Sequence, residues 1–397
     1  MAWAGRRWPV IDWRLCPLDG DSASVLATAG GGAPGGVPAS DPADLLLYSH
    51  LDTSLTGDPA TDAEITGRAD PIPVFRFDRS SGTVSGQGLG VAKAPAAAAV
   101  VGFVRAAERL GSSGRVQLLL AARGTHRTDW SAPGPHRTGV TQYLAARPKP
   151  GAVVIAKCGP PGILRQEPAA LYLRVRVEGG CAGGGCAGGG WGPLMSPGAL
   201  HPVGGLLASA DRLLAEYGRF GDALMAAYPA DQSRQDGPAF GLGALRAGTP
   251  GKADLAPARL ELFGYAALPG PVTPGATAAA LQVYLRERVP GLAISVEERL
   301  LGDGPATAPD APVVRAATDA CLAELGRYPE PITGWTGSTD GVVFRAAGVD
   351  TVRLGPRPLP AGRDPRVDIF DLAELARFAR VYEAIIASQC DPPSHLT

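Results

Sequence analysis

The chain has 397 residues, 45% hydrophobic and 19% charged, which is longer than one core usually supports and too apolar for a disordered chain. Two globular, soluble domains are expected. Its 37 basic and 38 acidic residues leave a formal charge of -1, so no global field recruits nucleic acid or an anionic membrane.

In chain order, residues 1–13 place no uninterrupted apolar stretch behind Arg6 and Arg7, so they do not read as a secretory leader. Residues 44–49 (DLLLYS) read as a buried strand that delivers His50, Leu51 and Asp52 at its end. Alternate residues on a strand share a face, so His50 and Asp52 point together. The glycine-rich stretch 86–90 precedes a helix predicted over 93–110, whose apolar run 94–104 is far short of the ~20 residues that span a bilayer. Residues 115–122 (RVQLLLAA) and 152–156 (AVVIA) read as two more buried strands. Strands alternating with helices predict a mostly parallel α/β sheet.

At Leu171 the pattern changes to strict alternation, as in a strand with one face in solvent. A helix at 202–217, strands at 240–245 and 259–267, a helix at 274–288 and a strand at 292–298 complete a βαββαβ order, the ferredoxin-like plait. Beyond 302–312, helices at 313–325 and 371–386 and a strand at 351–354 restore the α/β character. The predicted organisation is a discontinuous α/β domain, 1–168 and 301–397, interrupted by an inserted ferredoxin-like domain, 169–300.

Three local patterns carry a family resemblance. Leu45-Leu46-Leu47-Tyr48-Ser49-His50-Leu51-Asp52-Thr53 is an apolar strand ending in His-x-Asp-Thr. Val84-Ser85-Gly86-Gln87-Gly88 is followed by Lys93, and Gly337-Ser338-Thr339-Asp340 is followed by Gly348-Val349-Asp350-Thr351 and Gly355-Pro356. In this order, with the insertion between the second and third, the chain resembles the zinc-dependent amidohydrolases and peptidases typified by acetylornithine deacetylase, succinyl-diaminopimelate desuccinylase, aminoacylase and carboxypeptidase G.

The resemblance implies two zinc ions about a bridging aspartate, a glutamate as general base, and five metal-binding positions. His50 matches the first ligand and Asp52 the carboxylate that orients it. The bridging position falls on Val91 or Ala92, and the paired glutamates fall on the tract Arg123-Gly124-Thr125-His126. The next acid falls on Lys157 or Cys158, and the late histidine in 360–364, which contains none. The substrate-contacting histidine of the inserted domain falls in 179–196, again without histidine. A catalytic zinc needs about three protein ligands. The expectation is therefore a degenerate member, either a non-catalytic partner subunit or a ligand-binding protein. The alternative is an active hydrolase of amide (C–N) bonds in N-acyl amino acids or small peptides, acting through a rearranged site.

The residues open two readings each. His50 and Asp52 are a hydrogen-bonded remnant or retained binding groups, and His126, Asp129, His136 and Cys158 are ordinary loop and core residues or a rebuilt zinc site of the type His50/His126/Cys158. Lys93 is the surviving family lysine or a helix-start lysine in solvent, and Asp340 touches a ligand or caps the helix that follows. The Gly/Cys run 179–190 lacks the Gly-Lys-Ser/Thr of a phosphate loop and the His pair of a metal knuckle, and reads as an interdomain loop. Six cysteines dispersed through a long chain point to a reducing cytoplasm, with Cys181 and Cys186 the pair of undetermined redox state. The resemblance also implies a homo- or heterodimer through the inserted domain, including pairing with an active paralogue.

Overall fold

The apolar run Leu45–His50 becomes a strand buried at every residue, as expected for the centre of a sheet covered by helices on both sides. The structure, a computed structural model, describes residues 2–18, 22–30, 41–53, 58–67, 75–110, 114–125, 128, 130, 138–159, 161–179, 206, 209–229, 231–248, 250, 257, 259–360 and 367–390. The first part of the chain forms α1 (Ala2–Arg7), β1 (Asp12–Pro17), β2 (Ala23–Gly30), β3 (Leu45–His50), α2 (Pro59–Thr66), β4 (Arg76–Asp78), β5 (Thr83–Gly86), α3 (Ala94–Arg109), β6 (Arg115–Ala121), α4 (Gly139–Ala146) and β7 (Ala152–Ala156). Then come β8 (Ala169–Gly179), α5 (Ala210–Ala226), β9 (Ala239–Ala247), β10 (Arg259–Leu268), α6 (Ala276–Arg288) and β11 (Leu292–Gly302). The last part adds α7 (Pro312–Leu325), α8 (Gly341–Ala346), β12 (Asp350–Leu354), β13 (Asp368–Asp371) and α9 (Leu372–Cys390).

The chain divides into two compact units, one of Met1–Glu167, Gly304–Ile332 and Thr339–Thr397, the other of Pro168–Asp303 and Thr333–Ser338. In the first unit six strands lie in the order β1-β2-β6-β3-β7-β12. Strands β6, β3, β7 and β12 run parallel, while β1 and β2 add an antiparallel margin. From the sequence no strand is expected before residue 44, and the β1–β2 margin corrects that expectation. A separate three-stranded sheet, β13-β5-β4, was missed as well.

The two-residue period of the central strands divides the core. Leu45, Leu47, Leu118, Val154 and Val352 face Phe103, Val381, Tyr382 and Ile385 of α3 and α9. Leu46, Tyr48, Leu119, Val153 and Ile155 face Val140, Tyr143 and Phe344 of α4 and α8. Helix α3 sits close against α9 because residue 102 is glycine: a Cβ there would lie 2.5 Å from the Ala379 carbonyl oxygen. The helical stretch Leu89–Arg109 is apolar and long enough to cross a membrane, yet 67% of its most apolar window is buried inside the protein. It is read as a core helix.

The second unit is a four-stranded antiparallel sheet in the order β11-β8-β10-β9. With α5 and α6 interleaved, this is the ferredoxin-like βαββαβ arrangement. Leu171, Leu173, Val175 and Val177 of β8 point into one core with Leu213 and Tyr217 of α5 and Leu281 and Leu285 of α6. Thr333–Ser338 joins this unit because Trp335 pairs with it through the backbone: its N–H donates to the Gln235 carbonyl at 2.7 Å, and its carbonyl accepts from Gly237 at 2.9 Å.

Candidate functional site

In an open parallel sheet, ligands gather beyond the C-terminal strand ends, and here polar residues collect where β3, β6 and β7 finish. His50 closes β3 and is 2% exposed. Its Nδ1 lies 2.9 Å from the Asp52 carbonyl oxygen, which can only accept, so Nδ1 carries the proton. In the neutral form of the ring this leaves the lone pair on Nε2, which is buried and has no hydrogen-bond partner among the described residues. Asp52 Oδ1 is 3.5 Å from the same Nδ1.

The Asp52 carboxylate is spent on the turn after β6, accepting from the Gly124 N–H and the Thr125 N–H at 2.8 Å each. Burial opposes its charge, but the hydrogen bond and charge of His50 and the Thr125 donors hold the carboxyl well below the usual range. Arg123 starts that turn in the left-handed region, with φ 56°. Glycine follows because nothing larger fits: a Cβ on Gly124 would lie 2.3 Å from His50 Cβ and 2.7 Å from the Tyr48 hydroxyl.

Tyr48, fully buried on β3, donates its hydroxyl to Asp340 Oδ2. Burial first, then the Asp340 charge, pushes the phenol well above its ordinary range. Asp340 makes no side-chain cap on α8, which corrects the capping role expected from sequence. A carboxylate facing a buried phenol gains a charge-assisted bond there.

Two lysines feel the charge of Asp52. Lys157 follows β7, and burial and Arg353 push its ammonium down to about 8 despite attraction from Asp340, Glu167 and Asp52. Lys93 stands at the start of α3, half-buried rather than free in solvent, with its ammonium lowered by burial and partly restored by Asp52. Deeper still, Glu167 accepts from Arg345 at 2.6 Å and from Thr339 at 2.9 Å, with Arg353 at 3.5 Å. Arg353 also donates to the Cys158 carbonyl. Burial disfavours the Glu167 charge, but the two guanidiniums and Thr339 hold the carboxyl below its ordinary value.

The structure thus brings together His50, Asp52, Lys93 and Asp340 among the candidates. It gathers Tyr48, Lys157, Glu167, Arg345 and Arg353 around them, of which sequence reasoning had singled out only Lys157, as a misfit. Arg353 inside the apolar strand β12 was the available signal. Cys158 instead packs with Leu89, Ala94 and Phe370, and burial pushes its thiol up to about 12. His126, Asp129, His136, Cys181 and Cys186 lie outside the described residues, as does most of the tract expected to hold the late histidine. Val91 and Ala92, joined by a cis peptide, carry no metal-donor side chain. Among the described residues no group of three or more His, Cys, Asp or Glu could hold a metal ion.

The sequence pattern of Peptidase family M20/M25/M40 matches residues 46–388. No curated protein matches the chain. Among solved structures it is similar to the di-peptidase Dug1p of Saccharomyces cerevisiae, at 11% identity and TM-score 0.64, covering 99% of this chain and 90% of that one. The M20 metallo-carboxypeptidase Sso-CP2 of Sulfolobus solfataricus gives 13% identity and TM-score 0.64, covering 97% and 91%. The aminopeptidase PepT of Bacillus cereus gives 16% and 0.61, covering 98% and 92%.

Proposed function

The chain belongs to peptidase family M20/M25/M40, and from that premise we propose that it is a non-catalytic member, serving as a binding or partner subunit rather than as a peptidase. The supporting observation is the donor set where a metal centre would be expected. A zinc site needs about three protein ligands, and His50 stands with two lysines and with an Asp52 whose oxygens are already engaged by backbone N–H groups. Arg123, Gly124 and Thr125 occupy the turn where a general base would stand, and loss of such a base alone costs ~10²–10⁴ in rate.

The orphaned Nε2 of His50 favours one competing reading, an amide hydrolase working through a rearranged zinc site on N-acyl amino acids or small peptides. Elemental analysis of protein purified with added zinc separates the two. The non-catalytic reading expects well under one zinc per chain and no hydrolysis of dipeptides or N-acetyl amino acids. Near-stoichiometric zinc that disappears in His50→Ala and His126→Ala overturns it.

As partner surface we propose the outer edge of the ferredoxin-like unit. Among the described residues strand β9 ends that sheet with no strand paired to its outer side, and its Leu242 and Leu245 are 41% and 47% exposed. A second copy or an active relative would pair there. Leu245→Asp is expected to shift sedimentation toward the monomer, and an unchanged distribution removes β9 from the interface.

A further inference from the structure

We propose that the cavity between α3, α7 and α9 binds a zwitterionic α-amino acid with an apolar side chain, its ammonium on Glu383 and its carboxylate on Arg105. A space of about 390 Å³ opens there. Its origin lies in side-chain size. Gly102 lets α3 press against α9, where a Cβ would lie 3.2 Å from the Glu383 amide nitrogen. One turn further along, Ala106, Ala384 and Ala387 are too small to fill the gap between the helices, and with Leu110 they give it an apolar lining. Helix α3 ends just before β6 begins, so the cavity lies toward the starting ends of the parallel strands, away from the ends that carry His50 and Asp52.

The polar lining defines the ligand. Arg105, Arg109 and Arg380 stand with Glu108, Glu324 and Glu383, equal in number and opposite in sign, so a net cation or a net anion meets repulsion from half of them. Arg380 is committed, donating to Glu324 at 2.6 Å. Glu383 is buried and forms an ion pair with Arg109, whose side chain is 77% exposed, yet its Oε1 receives no hydrogen bond among the described residues. A buried carboxylate oxygen without a donor carries a desolvation cost that an incoming N–H relieves. The last turn of α3 lines the same cavity and brings the negative end of a helix dipole, which also favours an ammonium. Among the described residues Arg105 makes no hydrogen bond or ion pair, which leaves its guanidinium for a carboxylate. An α-amino acid carries both groups on one carbon, and its side chain is left to cover the alanines.

The test is calorimetric titration of the full chain at neutral pH with L-leucine, isocaproate, isoamylamine and glycine. Leucine is expected to saturate one site per chain. Isocaproate lacks the ammonium, isoamylamine the carboxylate and glycine the side chain, and each is expected to bind at least about tenfold more weakly. Arg105→Met and Glu383→Gln should each weaken leucine by a similar factor. Ala387→Trp, at an exposed position on the lining, should abolish binding by filling the cavity. Unfolding midpoints check that every variant is folded, and Arg105→Met and Ala387→Trp alter only exposed residues. Undiminished binding of isocaproate or isoamylamine, full affinity in folded Arg105→Met or Ala387→Trp, or no saturable binding of leucine overturns the proposal.

Discussion

Replacing Lys157 by methionine is expected to make the protein more stable at pH 7. Burial and Arg353 bring its ammonium from 10.5 in a free chain to about 8 in the fold, after the attraction of Asp340, Glu167 and Asp52 has been counted. At 1.36 kcal/mol per pH unit, holding that ammonium charged costs about 3 kcal/mol, an upper figure because the side chain keeps some water contact. Below pH 8 the wild type carries this cost in full. Between about pH 8 and 10.5 the folded chain has released the proton that the unfolded chain still holds, so stability rises with pH across that window. Lys157→Met, similar in length and uncharged, removes both the cost and its pH dependence. Urea unfolding at pH 7, 8, 9 and 10, in an amine buffer free of carboxylates, measures the difference. The variant should lead at pH 7 and its lead should shrink steadily toward pH 10. A variant less stable at pH 7, or a lead that does not change with pH, refutes the reasoning.

Glu167→Gln removes the carboxylate that pairs with both buried guanidiniums, Arg345 and Arg353, and should lower unfolding free energy by about 3–5 kcal/mol in chemical denaturation. Gly124→Ala drives a methyl into His50 and Tyr48 and should cost about 1–3 kcal/mol, read as a lowered denaturation midpoint, whereas a neutral result would show that the turn yields. The folded-state carboxyl of Asp52 is depressed, so its contribution is present above about pH 4 and lost as pH falls below it. Asp52→Asn should accordingly flatten the acid limb of the stability profile while lowering its neutral plateau.

The parallel sheet was legible because strands buried on both faces are written as continuous apolar runs, as in Leu45-Leu46-Leu47 and Val153-Val154-Ile155. The ferredoxin-like unit was legible for the opposite reason, since its sheet hides one face and the sequence alternates. Strand β2 escaped notice because Ala-Ser-Val-Leu-Ala-Thr-Ala-Gly mixes small residues that fit either state, and pairing decides it. His50, Asp52 and Asp340 were legible as a resemblance, but their partners were not. Tyr48 and Asp340 are 292 residues apart, and no local pattern marks Asp340 for a phenol rather than a helix cap.

The guanidiniums that neutralise Glu167 lie 178 and 186 positions later, on α8 and β12. A ribosome builds the whole intervening plait before either emerges, and β7 waits equally long for its outer neighbour β12. The inserted unit, whose own core depends on none of this, can close first. Synthesis therefore leaves the amino-terminal half holding an unneutralised acid and an open sheet edge until the last quarter of translation. During that interval a chaperone or a second subunit has an exposed strand to hold.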